Sequence, residues 1–312
     1  MPSLKIIRKR ITSTKATQKI TRAMKMVAGA RLTRAQQRIL AMRPYAVKTG
    51  EVLQSVTRTM AAASADAAGE PLHPLLAVRP EKKALLVVFT ADRGLCGALN
   101  TNVNKLVERT WREKEAAGVQ VSFATLGRKG REYLGRRRGD VLRDFPRIYD
   151  GLDLEKARIV TNWLVLRFQK AECDSVYFVY NEFKSAITQR VAIERLLPLG
   201  QGSETGPASE AANRAAAAGA GQSMVPSEFL YEPNQQALLE RLVPMYVEIS
   251  VYRALLESQA SFFGAQMTAM DAATRNAKEL IASYTLAYNR ARQAAITKEL
   301  MEIIGGAEAL KD

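Results

Sequence analysis

The longest pattern in the chain is a seven-residue apolar repeat, and it occurs twice, once near each end. From Leu4, every seventh residue reads Leu4, Ile11, Gln18, Lys25, Leu32, Ile39, Ala46, Leu53 and Met60. Three residues on runs a companion row of Ile7, Thr14, Thr21, Ala28, Ala35, Met42, Thr49 and Val56. Apolar and small side chains recurring at this spacing predict a helix with one continuous seam. The small residues of the companion row permit close approach of a second helix, and Pro44, which has no N–H, is expected to kink or loosen the helix locally. At the other end the row Leu242, Ile249, Leu256, Phe263, Met270, Ala277, Tyr284 and Ala291 is unbroken, with Pro244 as the one proline after Asn234 and no glycine before Gly264. A helix of about 75 residues spans roughly 110 Å and cannot bury its stripe alone. Only the N-terminal helix is of comparable length, so the pattern predicts an intramolecular antiparallel coiled coil with its two termini near each other.

Between the helices the period changes. Residues 83–91 (KALLVVFTA) are a continuous apolar run, residues 119–126 (VQVSFATL) alternate, and residues 175–183 (SVYFVYNEF) form a third segment of this kind, so each reads as a strand. Residues 98–117, 128–138 and 154–171 carry helical spacing, and 189–199 reads as a further strand. Strands alternating with helices predict a Rossmann-like, parallel-type domain. The fold class is therefore α+α/β: a long antiparallel coiled coil of N- and C-terminal helices with an inserted α/β domain. The expected divisions are a helix at 1–60, a connecting segment at 61–82, the inserted domain at 83–199, an insertion at 200–227 and the returning helix at 228–312. The 200–227 insertion is low in complexity, poor in large apolar residues and expected to be mobile.

Composition narrows the function classes. Forty-seven per cent of the 312 residues are hydrophobic, enough for a core, and the formal charge is +15, which favours an acidic partner: nucleic acid, an anionic membrane or an acidic protein surface. Residues 1–60 hold 14 Lys or Arg against the single acid Glu51, net +13, whereas residues 228–312 hold 8 against 11, net −3. Two cysteines, Cys96 and Cys173, make no disulfide framework and no metal-ligand spacing, and fit a reducing compartment. The one histidine, His73, lies between Pro71 and Pro74; it excludes a multi-histidine metal site and reads as a satisfied or solvated loop residue. No run of 18 apolar residues is present to span a membrane. The Arg-rich, acid-poor opening has the composition of a cleavable presequence, but its heptads run on past residue 30 without a break, which argues against one.

The segment from Thr90 to Asn102 (TADRGLCGALNTN) follows a strand and opens a helix, where a phosphate-binding loop sits in nucleotide-binding folds. Only Gly94 and Gly97 are present, so neither G-x-G-x-x-G nor a Walker A loop is satisfied, and the second strand ends in Gly127, Arg128 and Lys129 rather than in an acid. The expected reading is a tight turn in which Asp92 or Arg93 makes structural bonds and Cys96 is a small packed residue. No catalytic residue, cofactor or metal is expected. Two other classes compete: a basic coiled-coil protein that binds nucleic acid, which leaves the α/β domain unexplained and has no aromatics among its basic residues to stack on bases, and a stand-alone nucleotide-dependent enzyme, which leaves the helices idle.

Three stretches carry a family resemblance: residues 7–32 (IRKRITSTKATQKITRAMKMVAGARL), the central DRGLCGALNTN with Asp92, Arg93, Gly94 and Gly97, and residues 291–310 (ARQAAITKELMEIIGGAEAL). Together, in this order, they resemble the gamma subunit of the rotary proton-translocating ATP synthase. In the last stretch Ile296, Thr297, Glu299, Glu302, Gly306 and Ala307 match the family pattern position by position. The resemblance implies a non-catalytic central shaft. Its paired terminal helices would stand inside a hexamer of alpha and beta chains, and its globular part would rest on epsilon and the membrane ring of c subunits. It implies no nucleic-acid partner, membrane contact only through other subunits, and a place at the cytoplasmic face of a bacterial inner membrane, with an organellar membrane as the alternative. Lys9, Lys15, Lys19, Arg22, Lys25 and Arg31 would face acidic loops of beta, Met24 would lie in the rotor-stator contact region, and Arg292, Gln293, Thr297 and Glu299 would make polar contacts higher on the shaft.

The chain departs from the family where relatives read Ser-Glu-x-x-Ala-Arg-Met. Here stand Ser261, Phe262, Phe263, Gly264, Ala265, Gln266 and Met267, so Gln266 offers neutral hydrogen bonds in place of an arginine-carboxylate contact. The 200–227 insertion lacks cysteine, and a thiol switch of the kind found in chloroplast relatives is not expected.

Overall fold

The computed structural model describes residues 4–63, 73–199 and 234–308. The insertion at 200–227 lies outside the described residues, as do residues 64–72 of the connecting segment. The chain groups into two compact units, one of Met1–Ala30 with Gln266–Asp312 and the other of Arg31–Ala265. Two long helices, α1 (Leu4–Ala63) and α5 (Gln235–Glu308), supply residues to both.

In the helical unit the first turns of α1 pair with the last part of α5 in opposite directions. Thr21 Oγ1 lies 2.8 Å from Thr274 Oγ1, and Lys25 Nζ donates to Asp271 Oδ1, so the residue number rises on one helix as it falls on the other. Ile7, Thr21 and Ala28 of α1 and Met270 and Ala277 of α5 are buried, with Tyr284 and Ala291 half-buried. Every described side chain in the heptad rows of both helices is buried or half-buried. The small residues of the companion row do as their size predicts: a threonine facing a threonine lets the backbones approach and leaves both hydroxyls bonded.

The sheet unit is built on five strands in the order β3-β2-β1-β4-β5. In chain order the elements are β1 (Lys83–Phe89), α2 (Leu99–Ala116), β2 (Gln120–Leu126), α3 (Arg128–Arg136), β3 (Val141–Phe145), α4 (Leu154–Gln169), β4 (Ser175–Phe183) and β5 (Gln189–Leu197). The first four strands are parallel and β5 returns antiparallel to β4. β1 is central and buried on both faces, which is why its sequence is continuously apolar rather than alternating. Leu85, Val87 and Phe89 meet Ala157, Val160 and Leu164 of α4 and Val247, Val251 and Leu255 of α5 on one face. Leu86 and Val88 meet Val103 and Val107 of α2 and Leu134 of α3 on the other. Phe89 packs edge-on against Phe178 of β4, ring centroids 5.1 Å apart.

β3 was not anticipated, because this edge strand (VLRDF) holds two charged residues and only Phe145 is buried. Of the two readings of His73, the satisfied one holds: it is buried, and its Nδ1 accepts from Leu75 N–H at 3.1 Å to cap a turn of 3-10 helix at Pro74–Leu76. Burial pushes its pKa down, so it stays neutral at physiological pH.

Candidate interaction surfaces

The turn after β1 closes on itself. The Ala91 N–H is taken by Asn100 Oδ1 at 2.9 Å, and Asp92 Oδ1 accepts from Arg128 N–H at 3.0 Å, capping the start of α3. Thr90 Oγ1 accepts from Gly130 N–H at 2.7 Å and donates to the Gly127 carbonyl oxygen at 3.2 Å. Gly127 has φ +99°, and a Cβ there would lie 2.0 Å from Thr90 O. The glycine is required because the β1 and β2 termini cross at van der Waals contact, not because a phosphate approaches. Cys96 is buried, with the Asn100 amide donating to its Sγ at 3.3 Å, and burial raises its thiol pKa. Cys173 is buried too, its thiol pushed up to about 11 by the same cause.

Beside this turn a cleft of about 430 Å³ opens within the sheet unit. Arg31, Arg34 and Arg38 line it from one face of α1, Asp92 and Arg93 from the turn, and Phe262 and Phe263 from α5. Arg31 lies over the Phe263 ring, 5.9 Å from its centroid, and Arg38 Nη1 donates to the Leu152 carbonyl oxygen at 3.3 Å. Among the described residues none of these four arginines reaches a carboxylate, so the cleft keeps its positive charge. Phe262 packs on Cys96, Leu99 and Ala265. Phe262 thus covers the turn carrying the DRGLCG motif.

The helical unit carries two further surfaces. Lys9, Lys15, Lys19 and Arg22 are exposed on α1 and have no ion-pair partner among the described residues. Met24 and Lys25 sit half-buried at the seam edge. Lys25 turns inward to Asp271, which Arg275 also holds at 2.9 Å, and the Lys25 hydrogen bond keeps the Asp271 carboxyl below its ordinary range. On α5, Gln266 is half-buried, while Arg292, Gln293, Thr297, Glu299 and Glu302 are exposed. Thr297 Oγ1 donates back to the Gln293 carbonyl oxygen at 3.0 Å, and Lys298 pairs with Glu302 at 3.5 Å. Gly306 is exposed, with open space where a Cβ would stand; Ala307 lies in the helix, its side chain outside the described set.

Paired positions on the two helices have indices that sum to about 295, so Leu4 stands beside about residue 291 and α5 continues past the start of its partner. Ile296, Leu300, Met301, Ile303 and Ile304 are there more than half exposed. Five large apolar side chains on a terminal helical segment of a folded chain form a surface that water does not favour.

The chain as a whole is similar to known proteins. A family model described as ATP synthase covers residues 3–310. The ATP synthase gamma chain of Sorangium cellulosum is 57% identical over the whole of both chains, and that of Anaeromyxobacter dehalogenans is 46% identical, again over both whole chains. The chain belongs to the ATP synthase gamma family. Among solved structures, a chain from the Tetrahymena thermophila mitochondrial ATP synthase, central stalk and c-ring, is 25% identical with a TM-score of 0.58, covering 81% of this chain and 99% of that one. A chain of the Euglena gracilis mitochondrial ATP synthase, 21% identical with a TM-score of 0.63 over 98% of this chain and 94% of that one, shares the fold.

Within this gamma-family chain the DRGLCG motif is a packing device of the sheet unit. Asp92 caps α3, Gly97 adopts φ +58°, Gly94 is half-buried and Arg93 reaches the cleft. Arg34, Arg38 and Tyr149 line the same cleft and were not anticipated. The three-to-four-residue spacing of Arg31, Arg34 and Arg38 was the signal for the first two; Tyr149 comes from a loop whose position depends on the sheet. A buried cluster of Arg253, Glu194 and Glu257 was also missed, since Glu194 comes from β5 while Arg253 and Glu257 stand one turn apart on α5. Among the described residues no helix is long and apolar enough to cross a membrane.

Proposed function

We propose that this chain is the central-stalk rotor subunit of a proton-translocating ATP synthase. It couples rotation of a membrane ring of c subunits to conformational change at catalytic sites carried by beta subunits. The observation that carries this reading is the unpartnered apolar end of α5, on a chain whose relatives are ATP synthase gamma chains along their full length. Buried in an apolar sleeve formed by alpha and beta chains, Ile296, Leu300, Met301, Ile303 and Ile304, which the described residues of their own chain leave exposed, would leave water.

The remaining surfaces fit the same role. A paired helix resists bending because bending exposes its seam, so it carries torque where a loop would absorb it. The free cations Lys9, Lys15, Lys19 and Arg22 and the arginine-lined cleft attract acidic loops of beta over a Debye length of about 8 Å. Attraction without fixed pairing suits a surface that moves past successive partners. Each catalytic site then meets a different face of one asymmetric chain, which biases it between open and closed states. Met24, Lys25, Arg31 and Gln266 flank this contact zone, and Arg292, Gln293, Thr297 and Glu299 supply polar contacts higher on α5. The chain contributes no catalytic group. It sits peripherally at the cytoplasmic face of a bacterial inner membrane, with epsilon and the c ring as its contacts on the membrane side.

The test is assembly with alpha and beta chains, followed by deletion of everything after Arg292. We expect the full-length chain to be recovered with both larger subunits and ATPase activity, and the shortened chain to lose at least about tenfold in coupled synthesis, a change of about 1.4 kcal/mol. Recovery of the chain alone, or of a complex indifferent to the deletion, overturns the reading.

A further inference from the structure

α5 meets the sheet through a polar stripe in which Arg253, Glu257 and Ser261 recur every four residues. Ser261 Oγ donates to the Asn181 carbonyl oxygen of β4 at 3.0 Å. One turn away from this bond is Glu257, and a further turn away is Arg253, a single cation set between two carboxylates on different elements. Arg253 Nη2 lies 2.6 and 2.7 Å from the two oxygens of Glu194 on β5. Its Nη1 lies 3.7 Å from Glu257 Oε1 on its own helix. Tyr180 O–H also donates to Glu194 Oε2, at 2.9 Å. Glu194 is thus held by two donors, whereas Glu257 has one long contact and an Oε2 that is buried with no hydrogen-bond partner. A buried ionised oxygen without a partner is costly, and neutralising it removes most of that cost.

We propose that Glu257 is a proton-operated release for the Arg253–Glu194 clamp. When it is neutral, Arg253 fastens α5 to β5; when it ionises, it draws the guanidinium along α5 and loosens that fastening. The proton passes to solvent and no other covalent bond changes. The groups facing Glu257 are Arg253 on its own helix, Glu182 and Lys184 at the end of β4, and Glu194 on β5. Lys184 is paired with Glu182 at 2.6 Å. Burial first, then Glu182 and Glu194, push the Glu257 carboxyl up to about 7 against the opposing pull of Arg253. Burial also raises Tyr180 and Tyr246, which stay protonated throughout. The folded chain therefore keeps a proton that the unfolded chain has released between the ordinary 4.5 and about 7, so stability falls as pH rises through that window and levels off above it.

The consequence for torque rests on the rotor reading, because α5 is then the shaft helix and β5 belongs to the unit that drives it. The clamp itself is tested in the full-length chain without partners, by amide hydrogen exchange of β5 at pH 6 and pH 8 after correction for intrinsic rates. Wild-type β5 should exchange at least about threefold faster at pH 8, and Glu257→Gln should show equal protection at both. Equal protection in the wild type, or a retained difference in Glu257→Gln, overturns the proposal. Should Glu257→Gln not fold, Glu194→Gln decides the matter. With Glu194 neutral, Arg253 is left to Glu257, the transition moves below pH 6 and the difference disappears; its persistence overturns the proposal. A chain that passes this test but fails to assemble with alpha and beta chains removes the rotor reading and leaves the proton release standing.

Discussion

Gly127 shows how a residue at a family motif's edge acts through sterics alone. With φ +99° and Thr90 O where its Cβ would be, Gly127→Ala should lower the unfolding free energy by more than about 2 kcal/mol, read as a shift of the denaturation midpoint. Lys25 and Asp271 give a second residue-scale prediction. The Asp271 pKa is depressed by its lysine partner, so the pair stabilises the fold above the ordinary carboxylate pKa and that contribution is lost as pH falls through the depressed value. Asp271→Asn should therefore be less stable than wild type at neutral pH, with the two unfolding curves converging in acid. Both residues were visible in the sequence, but their roles were not. Glycine at the end of a strand does not say which backbone crosses it, and a lysine in a heptad row does not say whether it faces a partner chain or an aspartate 246 positions on.

The elements divide by how much of their environment their own sequence encodes. α1 and α5 are legible because a seam repeated over many turns averages out the odd Gln18 or Lys25. β1 and β4 are legible because a strand buried on both faces over most of its length has few other ways to fold. β3 was missed for the opposite reason: an edge strand satisfies half its backbone with solvent and needs little apolar content. The helix expected at 128–138 stops at Arg136, and Arg138 takes φ +57° to end it. The exposed apolar end of α5 was legible as a sequence pattern, since apolar residues stand on more than one face. The arginine cleft was not, because it needs α1, the β1–α2 turn and α5 brought together. At this scale Phe178→Ala, which empties the edge-on pair with Phe89 on β1, should cost about 3–5 kcal/mol in urea unfolding without changing the helical content contributed by α1 and α5.

Across the whole molecule, charge and chain order matter more than any one contact. Net charge runs from +13 in the first sixty residues to −3 in the last eighty-five, so affinity for an acidic multi-subunit partner should fall as salt rises from 50 to 300 mM. Replacing Lys9, Lys15, Lys19 and Arg22 together by Gln should flatten that salt dependence in a binding titration. Chain order sets a different constraint, one of timing. Thr21 and Thr274 share a hydrogen bond across 253 positions, so the first helix to be synthesised finds its partner only when the chain is nearly finished. At ~5–20 residues per second on the ribosome, that 253-residue separation is a wait of roughly 13–50 s. Throughout it the nascent α1 has its seam uncovered while the sheet unit is already being made. A cell that makes this chain must shelter a basic, amphipathic helix for that interval, and the antiparallel seam that stiffens the finished protein is what makes its unfinished form vulnerable.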